Sequence, residues 1–184
     1  TMSVLLGRVQ EILSQFNPQT ICDVFGSCTQ LFRAYNISKL SEDAINDKMH
    51  AIVTLAARML DASIKGINQF APRDISSLSS HMSDALAFKV SFRQLTRVDS
   101  EASCTAVLEA MRNHFICTIA KFTPIDLARS LRAFVSCANL LTAASTDSVS
   151  VHGNSVGLLK FGPEDVTKIQ KQIVALLPEL IPQD

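Results

Sequence analysis

The chain has 184 residues, with 17 basic side chains against 17 acidic ones, and this neutrality excludes a histone-like or polybasic mode of nucleic-acid binding. Hydrophobic residues make up 47% and charged residues 18%, which excludes disorder by composition and leaves enough apolar material for a sizeable core. Six Gly, six Pro, one Tyr and no Trp leave little material for a turn-rich, aromatic-rich β-sandwich or barrel.

Taken in chain order, the apolar periodicity predicts helices throughout. Residues Met2–Gln15 carry Leu5, Leu6, Val9, Ile12 and Leu13 at helical spacing. The segment Phe16-Asn17-Pro18-Gln19-Thr20-Ile21 then opens a second helix with Ile21, Val24, Cys28, Leu31 and Phe32 on one face. Residues Glu42–Gln69 follow, with Ile52, Val53, Leu55, Ala56, Met59, Leu60, Ile64 and Ile67. Phe70-Ala71-Pro72-Arg73-Asp74-Ile75 opens the next helix, with Ile75, Leu78, Met82, Ala85 and Leu86. Residues Glu101–Lys121 carry Val107, Leu108, Met111, Phe115, Ile116 and Ile119, before Phe122-Thr123-Pro124-Ile125-Asp126-Leu127. The helix so opened has Leu127, Ser130, Phe134, Cys137 and Ala138 at matching positions. The Ser/Thr-rich stretch Ala143–Ser150 predicts a loop. Phe161-Gly162-Pro163-Glu164-Asp165-Val166 then opens a last helix with Val166, Ile169, Ile173, Leu176 and Leu177.

Four openings thus share the pattern Phe-x-Pro-x-(Asp/Thr)-aliphatic, and each position has a physical reason to start a helix. Pro suits the first helical position, where its missing N–H has no intrahelical partner, and it keeps the preceding residue out of the helical region. Asn17 and Thr123 are good N-caps, Gly162 is acceptable and Ala71 is poor. The acids at the third helical position, Asp74, Asp126 and Asp165, can accept from free N–H groups and face the positive end of the helix dipole. Phe and the aliphatic residue five places later have the spacing of a hydrophobic staple, a better account of the Phe residues than stacking on bases. Of the twenty face positions in the four helices nineteen are apolar, where composition alone would give about nine. The residue three before each Phe (Leu13, Ile67, Ile119, Leu158) is apolar as well.

The Phe-to-Phe steps are 54, 52 and 39 residues, one helical hairpin per step with a compact final unit. The expected fold is all-α: a right-handed stack of helical hairpins forming a short α-solenoid. Residues 1–184 make one repeat domain with starts near Phe16, Phe70, Phe122 and Phe161. No apolar run approaches the roughly 20 residues of a bilayer span, and the start has no secretory-signal pattern. Because the first residue is Thr, the chain is expected to be a piece of a longer protein, with any targeting segment outside it. Cys22, Cys28, Cys104, Cys117 and Cys137 form an odd set without a CxxC pair, as expected of reduced thiols, most of them on buried helix faces.

Enzyme motifs are sparse. Gly153-Asn154-Ser155-Val156-Gly157 matches a nucleophile elbow, but that chemistry needs a strand before the Ser and an alternating βα pattern, so a polar inter-helix loop is expected. His114 and Cys117 lie one turn apart without the second pair that a structural zinc site needs, and no phosphate-binding loop is present. No catalytic residue, metal, cofactor or small-molecule substrate is expected.

The aliphatic helix, Phe-x-Pro-x-Asp-Leu and second aliphatic helix resemble the octotricopeptide and heptatricopeptide repeat proteins, related proteins with a RAP domain, and more divergent ARM/HEAT-like repeats. Residues Phe122–Ala128 followed by Arg129-Ser130-Leu131-Arg132-Ala133-Phe134 are the most similar stretch. The resemblance implies a non-catalytic helical-repeat protein of mitochondrial or plastid RNA metabolism, with the mitochondrial matrix as the expected location and another organelle or the cytoplasm as the alternative. It equally admits a protein scaffold, such as a subunit of the mitochondrial ribosome.

The repeat register also aligns charge. Seven residues after each Phe stand Asp23, Ser77, Arg129 and Lys168, and ten after stand Gly26, Ser80, Arg132 and Lys171. Arg129, Arg132, Lys168 and Lys171 are therefore candidates for a phosphate-contacting track on single-stranded RNA, with Arg73, Arg93 and Arg97 as weaker extensions. The alternative, and the commoner case, is an ordinary solvated face opposite the apolar stripe.

Overall fold

A computed structural model describes residues 7–9, 11–37, 42–87, 104–146 and 161–180. Among these every regular element is helical, and no helix is long and apolar enough to cross a membrane. The α-helices are α1 (Pro18–Ile37), α2 (Glu42–Gly66), α3 (Pro72–Ala87), α4 (Cys104–Thr118), α5 (Pro124–Thr146) and α6 (Pro163–Leu180). Residues 7–9 and 11–12 are helical as well. Residues 143–146 of the expected loop are helical instead, because α5 runs on to Thr146, and residues 147–150 lie outside the described residues. Gly153–Gly157, Arg93 and Arg97 lie outside the described residues.

The Phe-Pro segments form nearly the same structure each time. In the first three, the preceding helix tightens into a 3-10 turn (Leu13–Gln15, Ile67–Gln69, Ile119–Lys121), a common way for a helix to end. The N–H of Phe16, Phe70 and Phe122 donates to the carbonyl three residues back at 3.1 Å in each case. The residue three before Phe, apolar in every repeat, is thus the first residue of this turn. Each of these Phe residues is extended, with ψ of 126°, 123° and 135°, which redirects the chain. All four Pro residues open their helices at the first position.

The caps follow the chemistry of each residue. Asn17 Oδ1 accepts from the Thr20 N–H at 2.8 Å, and Thr123 Oγ accepts from the Asp126 N–H at 3.2 Å. Where the cap residue has no polar side chain, the acid works backwards: Asp74 accepts from the Ala71 N–H at 2.9 Å and Asp165 from the Gly162 N–H at 3.1 Å. The poor cap at Ala71 is thereby compensated from the third helical position.

Helices pack in two rows. α1 lies against α3 and α3 against α5, while α2 lies against α4; α1 also packs on α2, and α3 on α4. Cys22 Sγ donates to the Asp74 carbonyl, Gly26 meets the His81 ring, and Ser83 donates to Ser136. Early residues meet early ones and later meet later, so neighbours in the first row run parallel. The hydrogen-bonded pairs are 52 and 53 residues apart, matching the 54- and 52-residue steps. Phe25, Phe32, Met59, Ile75, Leu78, Met82, Val107, Leu108, Met111, Phe115 and Phe134 fill the space between rows.

The last helix is placed differently. α6 meets α5, α4 and the 119–121 turn, the same kinds of neighbour that α4 has one repeat earlier in α3, α2 and the 67–69 turn. An aromatic cluster holds it: the Phe161 ring lies 6.0 Å from Phe134 and 6.3 Å from Phe115, which contacts Phe122 edge-on at 4.9 Å.

Candidate functional site

The parallel register of α3 and α5 positions a polar groove. It has a volume of about 250 Å³ and is lined by Arg73, Ser76, Ser77, Ser80 and His81 of α3 and by Asp126 and Arg129 of α5. Arg73 follows the helix-opening Pro and Arg129 stands seven residues after Phe122, so the one-repeat offset brings side chains from different sequence positions to one cleft. Both arginines are exposed. Asp126 already accepts the Thr123 hydroxyl at 2.8 Å, and its carboxylate offsets part of the positive charge. Two guanidinium groups flanked by three serines and a histidine form a small, polar, anion-tolerant surface.

The other predicted cations among the described residues do not line this groove. Arg132 is exposed one turn farther along α5, on the helix side that also shows Ile125 and Val135, 64% and 56% exposed. Lys168 and Lys171 are exposed on α6 and do not line the groove. Aligning Lys168 with Arg129 and Lys171 with Arg132 assumes that α6 continues the row of α1, α3 and α5, whereas its neighbours include α4 and the 119–121 turn. The two cations that the groove brings together are Arg129 and the weaker sequence candidate, Arg73.

The second groove was not apparent from the sequence. About 470 Å³ in volume, it lies where the first Phe-Pro segment meets the end of α2, and Leu13, Phe16, Ile21, Arg58, Asp61, Ala62, Lys65 and Phe70 are among its lining residues. The usable signal was a difference between repeats at one register. Eight residues before Phe70 stands Ala62, and eight before Phe122 stands His114.

His114 has a structural role where the second Phe-Pro segment meets the end of α4, its Nε2 lying 2.9 Å from the Phe70 carbonyl oxygen. No group of three or more metal-ligating side chains occurs among the described residues. Phe70 and Phe122 are buried, as expected of staple residues, and are closed to bases. Cys22, Cys28, Cys104 and Cys137 are buried, and burial pushes each thiol up to about 12, so they are protonated at neutral pH and poor nucleophiles. Cys117 is exposed.

No family model, no curated protein and no solved structure matches the chain.

Proposed function

We propose that the chain is a short α-solenoid block, three hairpin units with a terminal helix, serving as a non-catalytic RNA-binding element in organellar, specifically mitochondrial, RNA metabolism. The observation that carries this reading is the α3–α5 groove, where the repeat register places Arg73 and Arg129 from successive units on one exposed surface. Cations at a one-repeat spacing suit a phosphate backbone that passes from unit to unit. The likeness to organellar octotricopeptide and heptatricopeptide repeats supplies the biological setting.

Fluorescence anisotropy with a labelled single-stranded RNA tests it. Affinity should fall with added salt, and the double variant Arg73→Glu/Arg129→Glu should bind at least tenfold more weakly, with a log–log salt slope shallower by about 1.4 if two contacts are lost. Salt-independent binding, or none, would overturn the reading. A second reading, a scaffold subunit of a large organellar complex such as the mitochondrial ribosome, is favoured by the apolar exposure of Ile125, Val135 and Val174. It predicts negligible RNA affinity and a tenfold loss of partner binding in Val135→Glu.

A further inference from the structure

The groove between the first Phe-Pro segment and α2 differs from the next junction along the chain at three registers. Eight residues before the second Phe of each junction, Ala62 stands against His114; twelve before, Arg58 against Ala110; five before, Lys65 against Cys117. The backbone is nearly the same in both, since the turns open at Gly66 and Thr118 with φ/ψ of −105°/9° and −111°/8°. The second junction therefore shows what this scaffold can hold. A planar nitrogen heterocycle, the His114 imidazole, sits half-buried with a ring nitrogen 2.9 Å from the carbonyl of the junction's first Phe. In the first junction the methyl group of Ala62 replaces that ring, and a groove of about 470 Å³ opens beside Phe16. The two cations on its rim stand where the next junction has Ala and Cys.

From these three differences we infer that the groove receives one ribonucleotide of a single-stranded RNA, its base seated at Ala62 beside Phe16 and its phosphate held by Arg58 and Lys65. The inference rests on the RNA-binding reading and adds a second contact site to it. A base is a planar heterocycle with ring nitrogens and exocyclic donors, so it supplies what His114 supplies to the Phe70 carbonyl, here towards the Phe16 carbonyl. Phe16 is only half-buried, unlike Phe70 and Phe122. Its ring lines the groove and gives a seated base an aromatic face to lie against. The volume lies within the roughly 300–1,000 Å³ of small-ligand sites, whereas the α3–α5 groove, at about 250 Å³, falls below it. The first suits an inserted base and the second a passing phosphate. Asp61 lines the groove too, so two cations and one anion leave it net positive.

The test uses the whole chain, a mixed-sequence single-stranded RNA read by anisotropy, and AMP and UMP followed by NMR at the Phe16 and Ile21 signals. Ala62→His restores the ring of the second junction and fills the groove; Arg58→Glu/Lys65→Glu changes only exposed side chains and guards against a folding defect in the first variant. Each should weaken RNA binding at least tenfold with an unchanged circular dichroism spectrum, and AMP or UMP should shift Phe16 and Ile21 in the wild type but not in Ala62→His. Full RNA affinity in both variants, together with a loss in Arg73→Glu/Arg129→Glu, would overturn the groove and leave the RNA reading standing. Mononucleotide shifts without any RNA binding would overturn RNA as the occupant and the RNA reading together, with a free nucleotide as the ligand. Absence of both would overturn the nucleotide site as well.

Discussion

At the registers where α3 buries Ile75, Leu78, Met82 and Ala85 to 2% exposure or less, α6 buries only Ile169 and Leu176 and leaves Val166 and Ile173 41% and 40% exposed. Both helices open with Phe-x-Pro-x-Asp-aliphatic, and in both the Asp accepts from the cap residue's N–H. A shared opening therefore sets how the chain enters a helix without setting what the helix meets. α3 lies between α1 and α5 and beneath α4, so its stripe is covered, while α6 rests on α4, α5 and one turn through a narrower face.

The largest test of this contrast is a pair of truncations. Leu78→Ala should cost about 2–5 kcal/mol in chemical denaturation, because a fully buried side chain is lost and a cavity remains. Ile173→Ala should cost under about 1 kcal/mol, since that side chain keeps much of its contact with water. Equal costs would mean that α6 is covered in solution, and a dependence of the Ile173→Ala effect on protein concentration would identify self-association as the cover.

Next in size is an alkaline destabilisation confined to the packed helices. The four raised thiols lie in α1, α4 and α5, and α6 has none. The sign follows from proton counts: between the ordinary thiol value of 9.0 and about 12 the unfolded chain has lost these protons while the folded chain keeps them. Stability is therefore fully present below pH 9 and falls as pH rises, by up to about 1.4 kcal/mol per pH unit for each thiol. Denaturation of the wild type and Cys28→Ala at stepped pH isolates one such contribution from the other groups that ionise there. A Cys28→Ala slope equal to the wild type's would show that this thiol is not sequestered.

Much of this was legible in the residues because helix starts are local. A cap needs only a side chain within three positions of a free N–H, so Asn17, Thr123, Asp74 and Asp165 could be assigned from spacing alone. Cysteine burial was legible too, since Cys22, Cys28, Cys104 and Cys137 are apolar in character and sit among apolar neighbours. The 3-10 turns were not, because an apolar residue three before Phe fits an α-helix equally well. Neither were the neighbours of α6 nor the groove at Ala62. Both depend on which helix lies opposite, and hydrophobic spacing says that a face is covered without saying by what. Lys168 and Lys171 show the consequence: their register matches that of Arg129 and Arg132, yet their helix has different neighbours.

Ser130 sharpens the comparison at one register. It is the single polar residue among the twenty stripe positions, where the other three helices have Val24, Leu78 and Ile169. It is fully buried, and among the described residues its hydroxyl has no hydrogen-bond partner, whereas buried Ser63 and Ser79 donate to carbonyls in their own helices. Removing an unsatisfied buried hydroxyl while keeping the small volume should stabilise, by about 1–2 kcal/mol in Ser130→Ala. A loss of stability in thermal or chemical denaturation would mean that the hydroxyl has a partner.

The smallest effect concerns how closely two helices of the first row approach. Ten residues after Phe16 stands Gly26, where later units carry Ser80, Arg132 and Lys171. A Cβ at Gly26 would lie 2.6 Å from His81 Nε2 and 2.8 Å from its Cε1, closer than van der Waals contact permits. Alanine in a helix is worth about 1 kcal/mol over glycine, so the close approach of α1 and α3 opposes intrinsic propensity. In the wild type, Gly26→Ala should destabilise by about 1 kcal/mol as the His81 ring is displaced from between the helices. In a His81→Ala background the same change should stabilise by about 1 kcal/mol, because only the propensity gain remains. The change of sign across this double-mutant cycle is the measurement that matters. Additivity would show that His81 swings clear at no cost and that glycine is not what sets the spacing of α1 and α3.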